Sequence, residues 1–297
     1  MKYQTKAYFY ALAAVALWST IASAFSLALK ELDVYQLLLG AVIVSIICLF
    51  IIVLVQNKLS FLLNLTTNDF IHSALLGFLN PFLYYLILLN AYSLLPAQEA
   101  MALNYIWPIS LVLLSIPILK QKISIRGFVA IFISFVGVLV IASKGELLSF
   151  SFTNLYGDLL AFSSSIIWAL FWLLNVKDKR DEVQKLLLNF IFAFIYILIA
   201  TFVFSEIRLP NLREITAVVY IGLFEMGITF VLWLKALMYS KSTDKISQLI
   251  YLSPFLSLVF INLVIKEPIL KSTLIGLLLI IIGIVFQQKR KKNYNNN

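Results

Sequence analysis

Runs of about 20 mostly apolar residues, parted by short polar connections, recur ten times along the chain. They lie at 7–29, 34–55, 70–92, 97–118, 125–142, 155–176, 185–204, 214–239, 244–265 and 272–288. Each has the length a helix needs to cross the roughly 30 Å hydrocarbon layer of a bilayer. The pattern predicts an all-α integral membrane protein of ten transmembrane helices with no sizeable soluble domain. The first run has the length of a full span and no Ala-x-Ala site after a short apolar core, so no cleavable signal is expected. Composition sharpens this. The chain is 62% hydrophobic and 12% charged, with mean hydropathy +0.98, whereas soluble chains are about half apolar and a quarter charged.

The pattern also repeats. Aligning Pro108 with Pro254 brings Tyr105 onto Tyr251, Lys120 onto Lys266, Gln121 onto Glu267 and Gly137 onto Gly283. A shift of one residue upstream pairs Gly77 with Gly222 and Ala91 with Ala236, while Trp18 and Trp168 lie at similar depth in the first span of each half. The expected units are 1–145 and 150–288, with a basic, low-complexity and disordered tail at 289–297. Five spans is an odd number, so the second half runs upside down relative to the first. Inverted repeats are a hallmark of secondary transporters, whose solute sits near mid-membrane between the halves.

The net charge of +9 suggests nucleic acid until the basic residues are mapped. With the N-terminus inside, 16 Lys and Arg fall in inner segments, 6 in outer loops, and Lys235 within a span. That bias predicts an inner-membrane protein with both termini cytoplasmic. The expected partners are a small-molecule solute and the lipid bilayer, with no nucleic acid, and the chain is expected to act as a monomer. The single cysteine, Cys48, excludes an internal disulfide and a Cys-rich metal site. No nucleotide loop, HExxH, CxxC or nucleophile elbow occurs, so neither a metal nor a cofactor is expected.

Polar groups inside the apolar runs mark candidate chemistry, because a polar group facing lipid costs kilocalories. The fourth run opens QEAMALNYIWP. Its Asn104 and Trp107 share a helical face, Tyr105 lies between them, and Pro108 can loosen the backbone there. Glu225 sits at mid-span in GLFEMGITF and reads as a solute-amine contact or proton-coupling site, against a carboxyl merely bonded to a neighbouring helix. Its repeat counterpart is Asn80, beside Pro81 and close to Tyr84 and Tyr85. Trp18, Trp107 and Trp168 lie about 15 Å deep; they either line an aromatic pocket or fill gaps between helices. Trp172 and Trp233 read as interfacial anchors. Glu99 either favours its helix start or faces the path. Gln248 and Tyr251 mirror the wall of the fourth span. Lys235 is expected to snorkel, Asp158 and Asp244 to open helices, and the lone His72 to sit at the interface.

With LWST at Leu17–Thr20, NYIWP at Asn104–Pro108, IIWALFW at Ile166–Trp172, YLSP at Tyr251–Pro254 and turns at Lys120 and Lys266, the chain resembles EamA-type members of the drug/metabolite transporter superfamily. It is most similar to their bacterial aromatic amino acid exporters. The resemblance covers nearly the whole chain. It implies a basket of ten helices around a central cavity lined by helices 1, 3, 4, 6, 8 and 9. It also implies export of amino acids or other small metabolites, and sometimes of toxic organic cations. Two departures stand out: Lys120–Gln121 replaces the family's Gly-Glu turn, and Glu225 belongs to none of these motifs. A different class, a membrane-embedded enzyme acting on lipid-linked substrates, would need clustered acidic or His residues at an interface, and the sequence shows none.

Overall fold

The computed structural model describes residues 3–60, 65–120, 125–143, 145, 154–240, 246, 249–266 and 268–288. The expected tail at 289–297, Gln121, Asp244, Gln248 and Glu267 lie outside the described residues, as do the side chain of Tyr251 and most of the start of the ninth run.

The described residues are helical, with no strand among them. In chain order the helices are α1 (Tyr3–Trp18), α2 (Ile21–Ala28), α3 (Val34–Val55), α4 (Thr67–Gly77), α5 (Tyr84–Leu94), α6 (Ala97–Asn104) and α7 (Trp107–Leu119). Then come α8 (Ile125–Ala142), α9 (Leu155–Lys177), α10 (Glu182–Phe204), α11 (Leu212–Ile221) and α12 (Ile228–Tyr239). The series ends with α13 (Leu252–Phe260) and α14 (Lys271–Gln288). Joined across their breaks, seven stretches are long and apolar enough to cross a membrane: Tyr3–Ala28, Val34–Val55, Thr67–Leu94, Ala97–Leu119, Leu155–Lys177, Glu182–Phe204 and Leu212–Tyr239. Three further apolar helices, Ile125–Gly137, Leu252–Ile265 and Lys271–Gly283, are shorter. The sequence places ten spans; these seven long and three shorter helices fall in the same runs.

Local chemistry sets the ends. Asp33 caps α3 by accepting from the backbone N–H groups of Tyr35 and Gln36, and Asn154 caps α9 through Gly157. Thr66 with Asp69, and Asn211 with Glu214, form reciprocal capping boxes. Each satisfies N–H groups that a helix start leaves unpaired.

The breaks are paired. Wide-turn segments occupy Phe78–Leu83 and Gly222–Gly227, the stretches around Asn80 and Glu225. The fourth run is broken between Asn104 and Trp107, just before Pro108, and the ninth holds a tight turn at Leu249–Tyr251. Lys120 and Lys266, aligned by the repeat, both end their helices in the left-handed conformation, at φ 54° and 67°. Packing is exchanged likewise: α1 lies against α12 as α9 lies against α5, and α3 packs on α10. Gly77 meets the backbone of α10 at Asn189, and Gly222 meets that of α3 at Ala41. A Cβ at Gly222 would stand 2.7 Å from the Ala41 carbonyl oxygen, so only glycine allows these two approaches.

At the bundle end nearest Tyr3, polar ties join the two halves. The Arg180 guanidinium bonds the Asp178 carboxylate at 2.7 Å and 3.0 Å and the Ser73 hydroxyl at 2.9 Å, with the Asp69 carboxylate 3.6 Å away. Lys58 pairs with Asp181. Burial pushes the Asp178 carboxyl up, but the hydrogen bonds and charge of Arg180 outweigh it and hold the group below its ordinary value. A depressed carboxyl adds stability above its unfolded value, near pH 4, and loses it as pH falls through its folded value. Asp178→Asn is therefore expected to cost about 2 kcal/mol at pH 7. The purified protein should lose thermal stability as pH falls below about 4, with a shallower fall in the variant. Equal melting of both proteins at pH 7 would contradict this role.

Candidate functional site

The central cleft is built where the broken helices meet. Trp18, Ile21, Ala22 and Phe25 line it from α1 and α2, Tyr84, Leu88 and Tyr92 from α5, and Met101, Asn104, Tyr105 and Trp107 from the fourth run; Trp168, Glu225 and Ser257 complete it. The first group recurs at i, i+3, i+4 and i+7, and the second at i, i+4 and i+8, so each forms one helical stripe. The lining residues lie late in the runs that begin at Tyr3 and Thr67, and early in the run that begins at Ala97. The cleft is thus displaced toward the end opposite Tyr3.

Its polar groups are fixed. The Tyr85 hydroxyl donates to Glu225 Oε1 at 2.7 Å, and Trp18 Nε1 donates to the Glu225 carbonyl at 3.2 Å. Asn104 donates to the Ser164 hydroxyl at 2.9 Å and accepts from Tyr84 at 3.4 Å. The Tyr105 hydroxyl donates to Ser253 at 2.7 Å, which joins the broken fourth run to the start of α13. Aromatic rings close the floor. Trp168 lies 4.4 Å from Tyr84, 5.7 Å from Trp18 and 6.2 Å from Trp107, centroid to centroid. These are spacings at which edge and face quadrupoles attract. The free space in the cleft is about 40 Å³, room for a few waters. A solute the size of an amino acid fits only when the walls part.

A larger cavity, about 380 Å³, lies on the bundle surface among Ile109, Leu113, Phe128, Phe132 and Phe162. Its lining is apolar apart from Ser110, so it has no polar set to orient a solute. Polarity, not size, favours the central cleft.

Among the candidate residues, the structure brings together Trp18, Tyr84, Asn104, Tyr105, Trp107, Trp168 and Glu225. Glu99 is buried in the first turn of α6 and does not line the cleft. Asn80 is also outside it, fully buried in the wide-turn segment against α9 and α10. Gln248 and the Tyr251 side chain lie outside the described residues. Trp172 and Trp233 are not interfacial anchors: both are fully buried. Trp233 packs on Trp18 and Trp107, and Trp172 on Trp168 and Phe230. They form the floor because α9 and α12 turn those faces inward. Phe25, Tyr92, Met101 and Ser257 are additions that the sequence reading lacked. The stripe from Trp18 was a signal for Phe25, as the stripe from Tyr84 was for Tyr92; Ser257 had none. Tyr85, near Asn80 in sequence, serves Glu225 instead.

No group of three or more potential metal ligands occurs among the described residues. The cleft carries one carboxylate and no basic residue among its lining. It offers hydrogen bonds, aromatic faces and one site for positive charge.

Comparisons with known proteins agree with this architecture. A protein of known crystal structure superimposes with a TM-score of 0.75 at 19% identity, covering 96% of both chains, which is a likeness of fold. An uncharacterized transporter of Archaeoglobus fulgidus is 27% identical over 171 residues, 56% of this chain and 59% of the relative's length. The uncharacterized transporter YvbV of Bacillus subtilis is 25% identical over 219 residues, 72% and 70% of the two chains. The model of the EamA-like transporter family matches twice, at residues 5–143 and 155–287. With both halves matched, the chain belongs to the EamA-like transporter family.

Proposed function

We propose that this protein is an inner-membrane secondary transporter that exports small metabolites, with amino acids bearing aromatic side chains preferred. Its ten spans form two inverted five-helix halves that rock around the central cleft and open it to each side in turn. Both termini are cytoplasmic, so the cleft faces outward in this conformation. The observation that carries the reading is the cleft itself: aromatic walls around one carboxylate and one carboxamide, at the junction of two halves with matching breaks. The Asn104 carboxamide, the tyrosine hydroxyls and Ser257 are groups that could meet a solute carboxylate, while Glu225 would take the amine.

One feature favours a second reading. No basic residue lines the cleft to pair a solute carboxylate, so a net cation without a carboxylate would leave no charge unpaired. The test is uptake into proteoliposomes of labelled phenylalanine, tyrosine, tryptophan, phenylethylamine and tetraphenylphosphonium, with and without a pH gradient. Saturable flux of the amino acids is the expected result. Flux of the two cations alone would move the assignment to an organic-cation exporter. Flux of none of them, from protein shown to be folded, would overturn both.

A further inference from the structure

In and behind the floor of the cleft lie polar groups that the outward-facing site does not use. Both polar atoms of the Asn80 carboxamide, Trp172 Nε1 and Trp233 Nε1 are buried without a hydrogen-bond partner. All three residues are fully buried. Around the open cleft Asn104, Tyr85 and Tyr105 all find partners, while Trp168 Nε1, Ser23 Oγ, Asn189 Oδ1 and Ser272 Oγ are further buried atoms without one. Buried orphans need a reason, because burial removes the water that would otherwise satisfy them.

The repeat supplies the reason. With the offset that pairs Gly77 with Gly222, Asn80 is the counterpart of Glu225 and Trp233 that of Leu88. With the offset that pairs Trp18 with Trp168, Trp172 is the counterpart of Ala22. Glu225, Leu88 and Ala22 all line the open cleft. Three unpartnered residues thus sit at the positions that face solute in the other half. When inverted halves exchange conformations, the second half's stripe opens as the first half's closes.

We propose that Asn80, Trp172 and Trp233 form a second solute subsite, facing the cytoplasm and closed in this structure. The proposal rests on the alternating-access reading and deepens it. In the closed state these groups are sealed in or behind the aromatic floor. In the inward-open state they meet water and the incoming solute. Their chemistry differs from that of the open cleft. Two indole N–H groups and a carboxamide bring donors, one acceptor and no charge. The subsite therefore suits the acceptor end of a solute, such as a carboxylate or carbonyl, and leaves the amine to Glu225.

The test uses the full-length chain with Cys48→Ala, which removes the only cysteine. Asn80→Cys is introduced, and separately Leu237→Cys, a milder change at the counterpart of Tyr92. Tyr92→Cys reports on the open cleft. Oriented vesicles that transport one of the probes above are treated with a membrane-impermeant maleimide from each face. The expected result is labelling of Asn80→Cys and Leu237→Cys from the cytoplasmic face only, about tenfold faster under conditions that favour the inward state. Tyr92→Cys should label from the outer face and slow under the same conditions. In parallel, Asn80→Ala should raise KM for the transported probe several-fold at the cytoplasmic face and leave outer-face KM unchanged. Transporting vesicles in which both floor cysteines stay inert, or in which Asn80→Ala shifts both KM values equally, overturn the subsite and leave the transport reading intact. Vesicles that transport none of the probes overturn the transport reading, and the subsite falls with it.

Discussion

Glu225→Gln is expected to reduce transport at least tenfold and to flatten its dependence on pH. The side chain is almost fully buried, it is the one carboxylate among the lining residues, and Tyr85 holds it at 2.7 Å. Glutamine keeps the shape and can still accept from Tyr85, so the fold should survive. What it loses is the charge. A hydrogen bond to a charged group is worth about 1.5–3 kcal/mol, and 1.4 kcal/mol is tenfold in binding. A solute ammonium facing glutamine loses that much or more, because the surrounding rings offer little else to a cation beyond their faces. Tyr85→Phe separates charge from orientation. It keeps the carboxylate, frees it to move and should cost only a few-fold. Flux is measured in proteoliposomes at several pH values. Unchanged flux and an unchanged pH profile in Glu225→Gln would remove Glu225 from the site and leave it a structural carboxyl.

A second large effect is expected far from the cleft. Lys185→Met should destabilise the folded protein by about 3 kcal/mol, since removing one partner strands buried groups at about 1–3 kcal/mol each. The Lys185 ammonium is fully buried and donates to the backbone carbonyls of Asn175 and Asp178, both at 2.7 Å. Those carbonyls belong to the end of α9, where the helix leaves acceptors unpaired and its dipole favours a cation. Methionine fills the space and leaves both carbonyls without this donor. Lys58→Met is the comparison. The Lys58 ion pair with Asp181 is partly exposed, and such pairs contribute about 1 kcal/mol or less. Thermal unfolding in detergent, followed by the loss of the monodisperse peak, measures both. Equal stability of the two variants would show that the buried lysine is no more than another surface charge.

Lys185 also shows where the sequence stopped being informative. In the orientation count it is one more positive residue on the inner side. Nothing near it in sequence reveals that it folds back onto the last turn of the preceding helix. The same is true of Trp172 and Trp233. Depth along a helix is legible because each residue adds a fixed rise, but the face a tryptophan turns inward depends on neighbours from other runs. Trp233 meets Trp18 and Trp107, and no local pattern connects them.

What the sequence determined by itself follows from local or periodic physics. A bilayer demands long apolar runs, which placed the helices. A duplicated pattern left matching proline, glycine and lysine positions in the two halves; that wide turns follow Gly77 and begin at Gly222, and that Lys120 and Lys266 are left-handed, came from the structure. A carboxylate in an apolar run is costly wherever its neighbours lie, so Glu225 stood out before any fold was known. The tertiary structure decided the rest. It gave Glu225 its partner Tyr85, placed Asn80 behind the floor instead of in the cleft, and sealed Trp172 and Trp233 beneath it. Desolvation is a property of one residue in its run; a hydrogen-bond partner or a shared cavity exists only once distant helices have packed.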